Sequence, residues 1–291
     1  MKPFQFSAIL ILILFNFTKP LAANPVDQVI PIVAFWEKGD YHYYEITKTN
    51  TSINNGIANL NGEISYLASF MVVESDDFGY TIQWQIEGLK NEGQTFTSSK
   101  EGENILTRFI GINIIYRTSP TGEIIEFLNR KEVEEKLEDS FSDFHKQTAS
   151  EFFNTQKPLP VFDEIKLLHS LFGRQYQANK VIEFKEIRRN KNRMKFELDG
   201  IFLPKNINNG ESLGLFTNVL TLNKTKLITN YGAIENYKND NINLSELNFQ
   251  EKEERLINYD KGLILSIYKE TKTTVSTKQS ATATLSIELI Q

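Results

Sequence analysis

A chain of 291 residues with no cysteine excludes disulfide frameworks, thiolate nucleophiles, zinc–cysteine sites and iron–sulfur clusters. A formal charge of −5 and a pI near 5.5 exclude the broad basic surface of a general nucleic-acid binder, so no nucleic-acid partner is expected. With 40% hydrophobic residues, 21 Phe and 11 Tyr, the composition is that of a chain that packs a core, as one large domain or two small ones.

The N-terminus reads as an export leader over residues 1–23. Lys2 supplies the positive start, Phe6 to Phe17 is nearly all apolar, and Pro20-Leu21-Ala22-Ala23 offers a small-residue cleavage site before Asn24. The apolar run falls well short of the ~20 residues that span a bilayer. No later stretch reaches that length, so no transmembrane segment is expected after cleavage. The expected location is therefore exported, periplasmic or secreted. Residues 24–291 then form a single β-rich domain, with two β lobes around helices near 129–173 as an alternative division.

Along the mature chain, Asp40 to Thr49 is a strand by its aromatic and β-branched content. Asn50 to Gly62, with Asn54-Asn55-Gly56 and Asn61-Gly62, reads as a polar loop. Glu63 to Glu74 and Tyr80 to Glu87 read as strands. In the second, Ile82, Trp84 and Ile86 alternate with Thr81, Gln83, Gln85 and Glu87, the pattern of a half-buried antiparallel strand. Asn91 to Glu103 is a second polar loop. Phe109 to Thr118 and Glu123 to Leu128 flank the hairpin turn Ser119-Pro120-Thr121-Gly122.

The period then changes. Val133, Leu137, Phe141, Phe144 and Phe152 predict a helix over Asn129 to Phe153, with Asn129 as its cap and Glu132 three residues on. Val161 to Phe172 predicts a second helix, stopped at Gly173. Strands resume at Val181 to Ile187 and Met194 to Phe202. They continue at Leu213 to Asn223, Lys224 to Asn230, Ala233 to Tyr237, Glu254 to Tyr259, Leu263 to Thr274 and Ala281 to Ile290. Strands, two helices and strands again predict an α+β fold, with curved antiparallel sheets packed on a central helical block.

With its leader and Asn/Lys/Ile-rich strands, and with the segment YRTSPTGEIIEFLNRKEVEEKLEDSF (Tyr116 to Phe141), the chain resembles the exported β-rich proteins of Bacteroidota-type bacteria. The resemblance implies an envelope location. It carries no catalytic motif and assigns no functional residue.

The chemistry-bearing residues narrow the choice. His145 and His169 have no His or carboxylate at i±3 or i±4, and His42 shares its strand face only with Asp40 and Tyr44. No metal site and no cofactor follows from them. Gly210-Glu211-Ser212-Leu213-Gly214 matches the serine-hydrolase elbow in letters only. A strand rather than a helix follows it, and no His comes after Ser212. The acidic run from Glu132 to Asp139 reads as a solvated helix start. Lys185, Arg188, Arg189, Lys191, Arg193 and Lys195 form a basic hairpin tip in an acidic chain.

These residues predict a noncatalytic envelope protein whose sheet leaves room for an apolar or lipid ligand. Trp84, Phe141, Phe144, Leu167 and Leu171 would line the space, and Arg188 and Arg189 would hold an anionic head group at its mouth. The competing arrangement is a core in which Phe and Leu close that space. Beside this stand a structural module that binds a protein or glycan of the envelope and, more remotely, a hydrolase with dispersed carboxylates.

Overall fold

The computed structural model describes residues 28–90, 105–140, 160–189, 195–208, 211–231 and 245–290. In chain order these begin with β1 (Val29–Ile32), β2 (Tyr41–Asn54), β3 (Ile57–Asp76), β4 (Gly79–Leu89), β5 (Asn113–Thr118) and β6 (Ile124–Phe127). The helices α1 (Arg130–Ser140) and α2 (Pro160–His169) follow, then β7 (Arg174–Gln177), β8 (Ile182–Arg189), β9 (Lys195–Asn208) and β10 (Ser212–Leu222). Helix α3 (Lys224–Tyr231) precedes β11 (Asn248–Asn258), β12 (Leu263–Ser276) and β13 (Gln279–Leu289). Among the described residues no helix is long and apolar enough to cross a membrane.

Eleven strands form one sheet in the order β6-β5-β4-β3-β2-β13-β12-β11-β10-β9-β8, while β1 and β7 pair separately. Every strand pair is antiparallel, and within the large sheet successive strands are neighbours except β6 and β8, which lie at its two edges. The two runs of strands meet where the ends of the chain pair: β13 lies beside β2, in register from Gln279↔Asn54 to Leu289↔Tyr44.

That pairing corrects the expected architecture. The strands before and after the helices do not pack as sheets on a central helical block; they are one large sheet, fused at β2 and β13. Among the described residues the α-helices are three short segments of 11, 10 and 8 residues. This pairing of β13 with β2 takes in the whole of β13 and Tyr44–Asn54 of β2, and so satisfies backbone donors and acceptors that two separate sheets would leave at exposed edges. Helical periodicity in the middle of a chain says nothing about whether its two ends will pair.

Local corrections follow. Asn50 to Gly62 is not a loop but the tip of the β2–β3 hairpin, turning only at Asn55 (φ 52°) and Gly56 (φ 81°). Two successive positive φ values match the right-handed strand twist. Lys224 to Asn230 is helical, capped by Asn223, whose Oδ1 accepts from the Lys226 N–H at 3.0 Å. The Asn129 side chain binds the backbone of β5 instead of capping α1: Oδ1 accepts from Ile115 N–H, and Nδ2 donates to Asn113 O, both at 2.8 Å. The rest of the predicted Asn129–Phe153 helix beyond Ser140, and the predicted strand Ala233–Tyr237, lie outside the described residues.

The sheet is bent into a trough. Ala34 N–H donates to Thr121 O in the β5–β6 turn at 3.1 Å, and Trp36 Nε1 donates to Gly262 O in the β11–β12 turn at 2.9 Å. Those turns sit at the same end of strands five steps apart, about 24 Å in a flat sheet at ~4.8 Å per step. Bulges at Asn50/Thr51, Leu67/Ala68 and Leu256/Ile257 supply local bends. The main core fills this closed end. Val161, Phe162, Ile165 and Leu168 of α2, with Val133 and Leu137 of α1, meet Tyr66, Phe70, Trp84 and Tyr116 of the sheet.

Candidate ligand site

Residues that face each other across paired strands share a side of the sheet. The core side passes from Tyr66 to Ile46, Ile287 and Ile267, and then reaches Arg255 on β11. Beyond this point the same side turns charged. Glu253 faces Lys269, and Glu251 faces Thr271. Glu251, Glu253 and Arg255 are only 5%, 6% and 6% exposed.

Burial on this scale requires pairing, and the pairing is dense. Arg255 binds Glu253 (Nε–Oε1 2.7 Å) and donates to Leu167 O at the C-terminal end of α2 (3.1 Å) and to Ser170 Oγ. A cation there is favoured by the negative C-terminal end of the helix. Lys269 bridges Glu251 (3.1 Å) and Glu253 (3.9 Å). Arg188 reaches across from β8 to hold Glu251 with two hydrogen bonds, 3.1 and 3.0 Å, and Glu186 at 2.5 Å.

The Arg188–Glu251 contact crosses three strand steps, about 14 Å in a flat sheet. The trough therefore curls at this side too. Gly200 leaves room on this wall for the Phe184 ring opposite it, since a Cβ there would lie 2.4 Å from that ring. The electrostatics are mutual. Hydrogen bonding to Glu251 raises the Arg188 pKa further above its ordinary value. Burial opposes ionisation of Glu251, but the Arg188 hydrogen bonds and Lys269 outweigh it and hold that carboxyl below its ordinary range.

Past this charged row the inner face becomes apolar again. Leu198, Leu220, Leu222 and Leu227 form a second buried cluster, with Phe184, Phe196, Leu247 and Phe249 packed on it. An open pocket of about 310 Å³ lies against this cluster, lined by Phe196, Leu198, Leu222, Leu247, Phe249 and Thr273, with Arg188 and Arg189 at its margin. The Arg188 guanidinium sits 5.5 Å from the Phe249 ring centre. A second hollow of about 370 Å³ lies between α2 and strands β2, β13 and β12. Its lining is more polar, including Lys48, Asp163, Glu164 and Lys269 beside Leu167 and Leu285. The buried Glu164 carboxylate there is held by the Lys48 ammonium and the Tyr66 hydroxyl.

The residues expected to line one cavity are thus divided. Trp84 is fully buried in the main core, 6.0 Å from Tyr44 between ring centres, and Leu171 is buried in the same core. Leu167 lines the polar hollow, and Arg188 and Arg189 line the apolar pocket. Phe141 and Phe144 lie outside the described residues. The pocket's own apolar residues were not singled out from sequence, although Phe196/Leu198 and Leu220/Leu222 carry the alternation that marks one strand face.

Other candidate positions have structural surroundings. Ser212 begins β10, with its Oγ on the Asp260 carboxylate and no histidine beside it among the described residues. His169 is buried with Nδ1 at 2.7 Å from Gly122 O and Nε2 at 2.9 Å from the Tyr116 hydroxyl. The carbonyl can only accept, so Nδ1 carries the proton and Nε2 accepts from Tyr116. Among the described residues no group of three His, Asp or Glu gathers as a metal site would require.

No family model matches the chain, and no curated protein matches it. Among solved structures the chain is similar to one described as "lipid-protein interactions in lipovitellin", at 8% identity and a TM-score of 0.49, over 88% of this chain and 25% of that one.

Proposed function

We propose that the protein is a noncatalytic, exported binding protein that takes an apolar ligand on the inner face of its bent sheet. The observation that supports this reading is the pocket of about 310 Å³ beside the Leu198–Leu222 cluster. Its size lies at the lower end of the ~300–1,000 Å³ of small-molecule sites. Apolar surface left open to solvent in a concave patch marks a ligand groove more often than a monomer's ordinary surface does, so open space lined by Phe and Leu is a feature to account for. The buried ion pairs around Glu251 brace the curled wall that forms it. The envelope location rests on the leader read in residues 1–23.

Titration with the neutral probe N-phenyl-1-naphthylamine tests the reading. One saturable site is expected, displaced by extracted envelope lipid. Thr273→Trp, which places a large ring in the pocket on a strand that favours aromatics, is expected to abolish it. Absence of saturable binding, or binding that ignores Thr273→Trp in a folded protein, overturns it.

A further inference from the structure

We infer that the apolar pocket and the polar hollow beside α2 are two ends of one groove, which takes a single-chain amphiphile lengthwise, its alkyl chain in the pocket and an uncharged, hydroxyl-bearing head in the hollow. The inference rests on the binding reading above and adds to it a second subsite and a ligand class.

Strand β12 joins the two spaces. Thr273 lines the pocket and Thr271 lines the hollow. They stand two residues apart on one strand, so they share a face and lie about 7 Å from each other. Across the pairing Thr273 faces Ala281, and Thr271 faces Ala283. Both alanines are on the side of β13 that carries Ile287 into the core, yet both are exposed. The floor between the two spaces is thus made of short side chains that leave it open. From Phe249 on β11 to Asn50 on β2 this floor crosses three strand steps, about 14 Å along the sheet. The pocket itself, at about 310 Å³, holds on the order of ten methylene-sized groups, at the ~30 Å³ that a water-sized group occupies in a liquid.

The lining changes along the groove. At the pocket end Phe196, Leu198, Leu222 and Phe249 offer a polar group no partner, so the chain belongs there. The polar row begins at Thr271, whose Oγ1 donates to Glu251 at 3.3 Å. In the hollow Lys48 and Lys269 stand on either side of Leu285. Buried Glu164 answers Lys48, while Glu251 and Glu253 answer Lys269. Asp163 and Asn50 are exposed on the same hollow. Donors and acceptors are therefore interleaved. A charged head would meet groups of its own sign beside those of the opposite sign, whereas hydroxyls, which both donate and accept, suit either kind.

The test uses the full chain and displacement of N-phenyl-1-naphthylamine by decanol, decyl glucoside, decyl sulfate and decyltrimethylammonium, all below the concentrations at which they form micelles. Decyl glucoside is expected to displace the probe at roughly tenfold lower concentration than decanol, as about two added hydrogen bonds would give. Ala283→Ile raises a β-branched side chain from the floor of the hollow, on a strand that favours it. It is expected to erase that advantage and leave decanol unchanged, which also shows that the variant folds. Equal displacement by decyl glucoside and decanol, or an advantage that survives Ala283→Ile, overturns the second subsite and leaves apolar binding in the pocket intact. Decyl sulfate or decyltrimethylammonium binding as tightly as decyl glucoside overturns the uncharged head. Failure of both the probe and decanol to bind the unmodified protein overturns the binding reading itself.

Discussion

Arg188 and Glu251 are 63 residues apart, on strands that are not neighbours, and they hold the curled wall of the trough. The Arg188 side chain is 35% exposed and that of Glu251 6%, so removal of the arginine strands a buried carboxylate. Lys269 and Thr271 remain beside Glu251 and soften the loss. Arg188→Met is therefore expected to cost about 2 kcal/mol, below the ~3–5 kcal/mol of a fully buried broken pair. Adding Glu251→Gln should restore part of it, and urea unfolding of both variants checks the cycle. His169 supplies a different residue-scale effect. Burial pulls its imidazole down to about 4, against the partial offset of the hydrogen bond to Gly122. The unfolded chain titrates near ~6.5, so in the window from about 6.5 to 4 the unfolded state binds the proton and the folded state does not. This contribution is complete above ~6.5 and is lost as pH falls through that window, on the order of 3 kcal/mol in all. His169→Gln is expected to be less stable than the unmodified protein at pH 7.5, with the gap in urea midpoint narrowing toward pH 4. A gap that stays constant with pH contradicts this account.

At the scale of elements, the β11–β12 turn is what closes the packed end of the trough. Gly262 has φ 61°, and a Cβ there would lie 2.4 Å from Val33 O and 2.9 Å from Ala34 Cα. Gly262→Ala must push that segment away and is expected to cost more than ~1 kcal/mol, read from the thermal midpoint. By contrast Ser212→Ala at the start of β10 is expected to leave fold and any measurable activity unchanged, since no histidine adjoins Ser212 among the described residues. How far such elements were legible depended on the reach of the signal. The alternation of Tyr80 to Glu87 sits within one strand and gave β4 directly. The helix over Lys224 to Tyr231 read as a strand because Thr225, Ile228 and Thr229 are β-branched; the stronger local cue was the cap at Asn223. Strands β1 and β7, four residues each, are too short for any period to show. The pocket was legible only as a basic tip near apolar strands. Its walls come from β8 to β12, and their approach is set by the curvature of the sheet, which no window of sequence displays.

The whole molecule is organised by the seam between β2 and β13. The seam joins the first long strand of the chain to its last, so the strands on either side share one hydrogen-bonded sheet. The main core crosses it as well: Ile46, Ile287 and Ile267 belong to the same cluster as Trp84 and Tyr116. A sheet built this way is expected to open as a unit, whereas two lobes around a helical block would open separately. Ile287 lies on the seam at 0% exposure, and Ile287→Ala removes buried methyl groups at a cost of ~2–4 kcal/mol. Hydrogen exchange followed by mass spectrometry, under conditions where the slowest amides report global opening, checks where that cost appears. Peptides from β4 on one side and from β10 and β11 on the other are expected to lose protection by the same amount. Loss confined to the β10–β11 side would mean that the seam does not couple the halves, and the sheet would then behave as two units despite its continuous pairing.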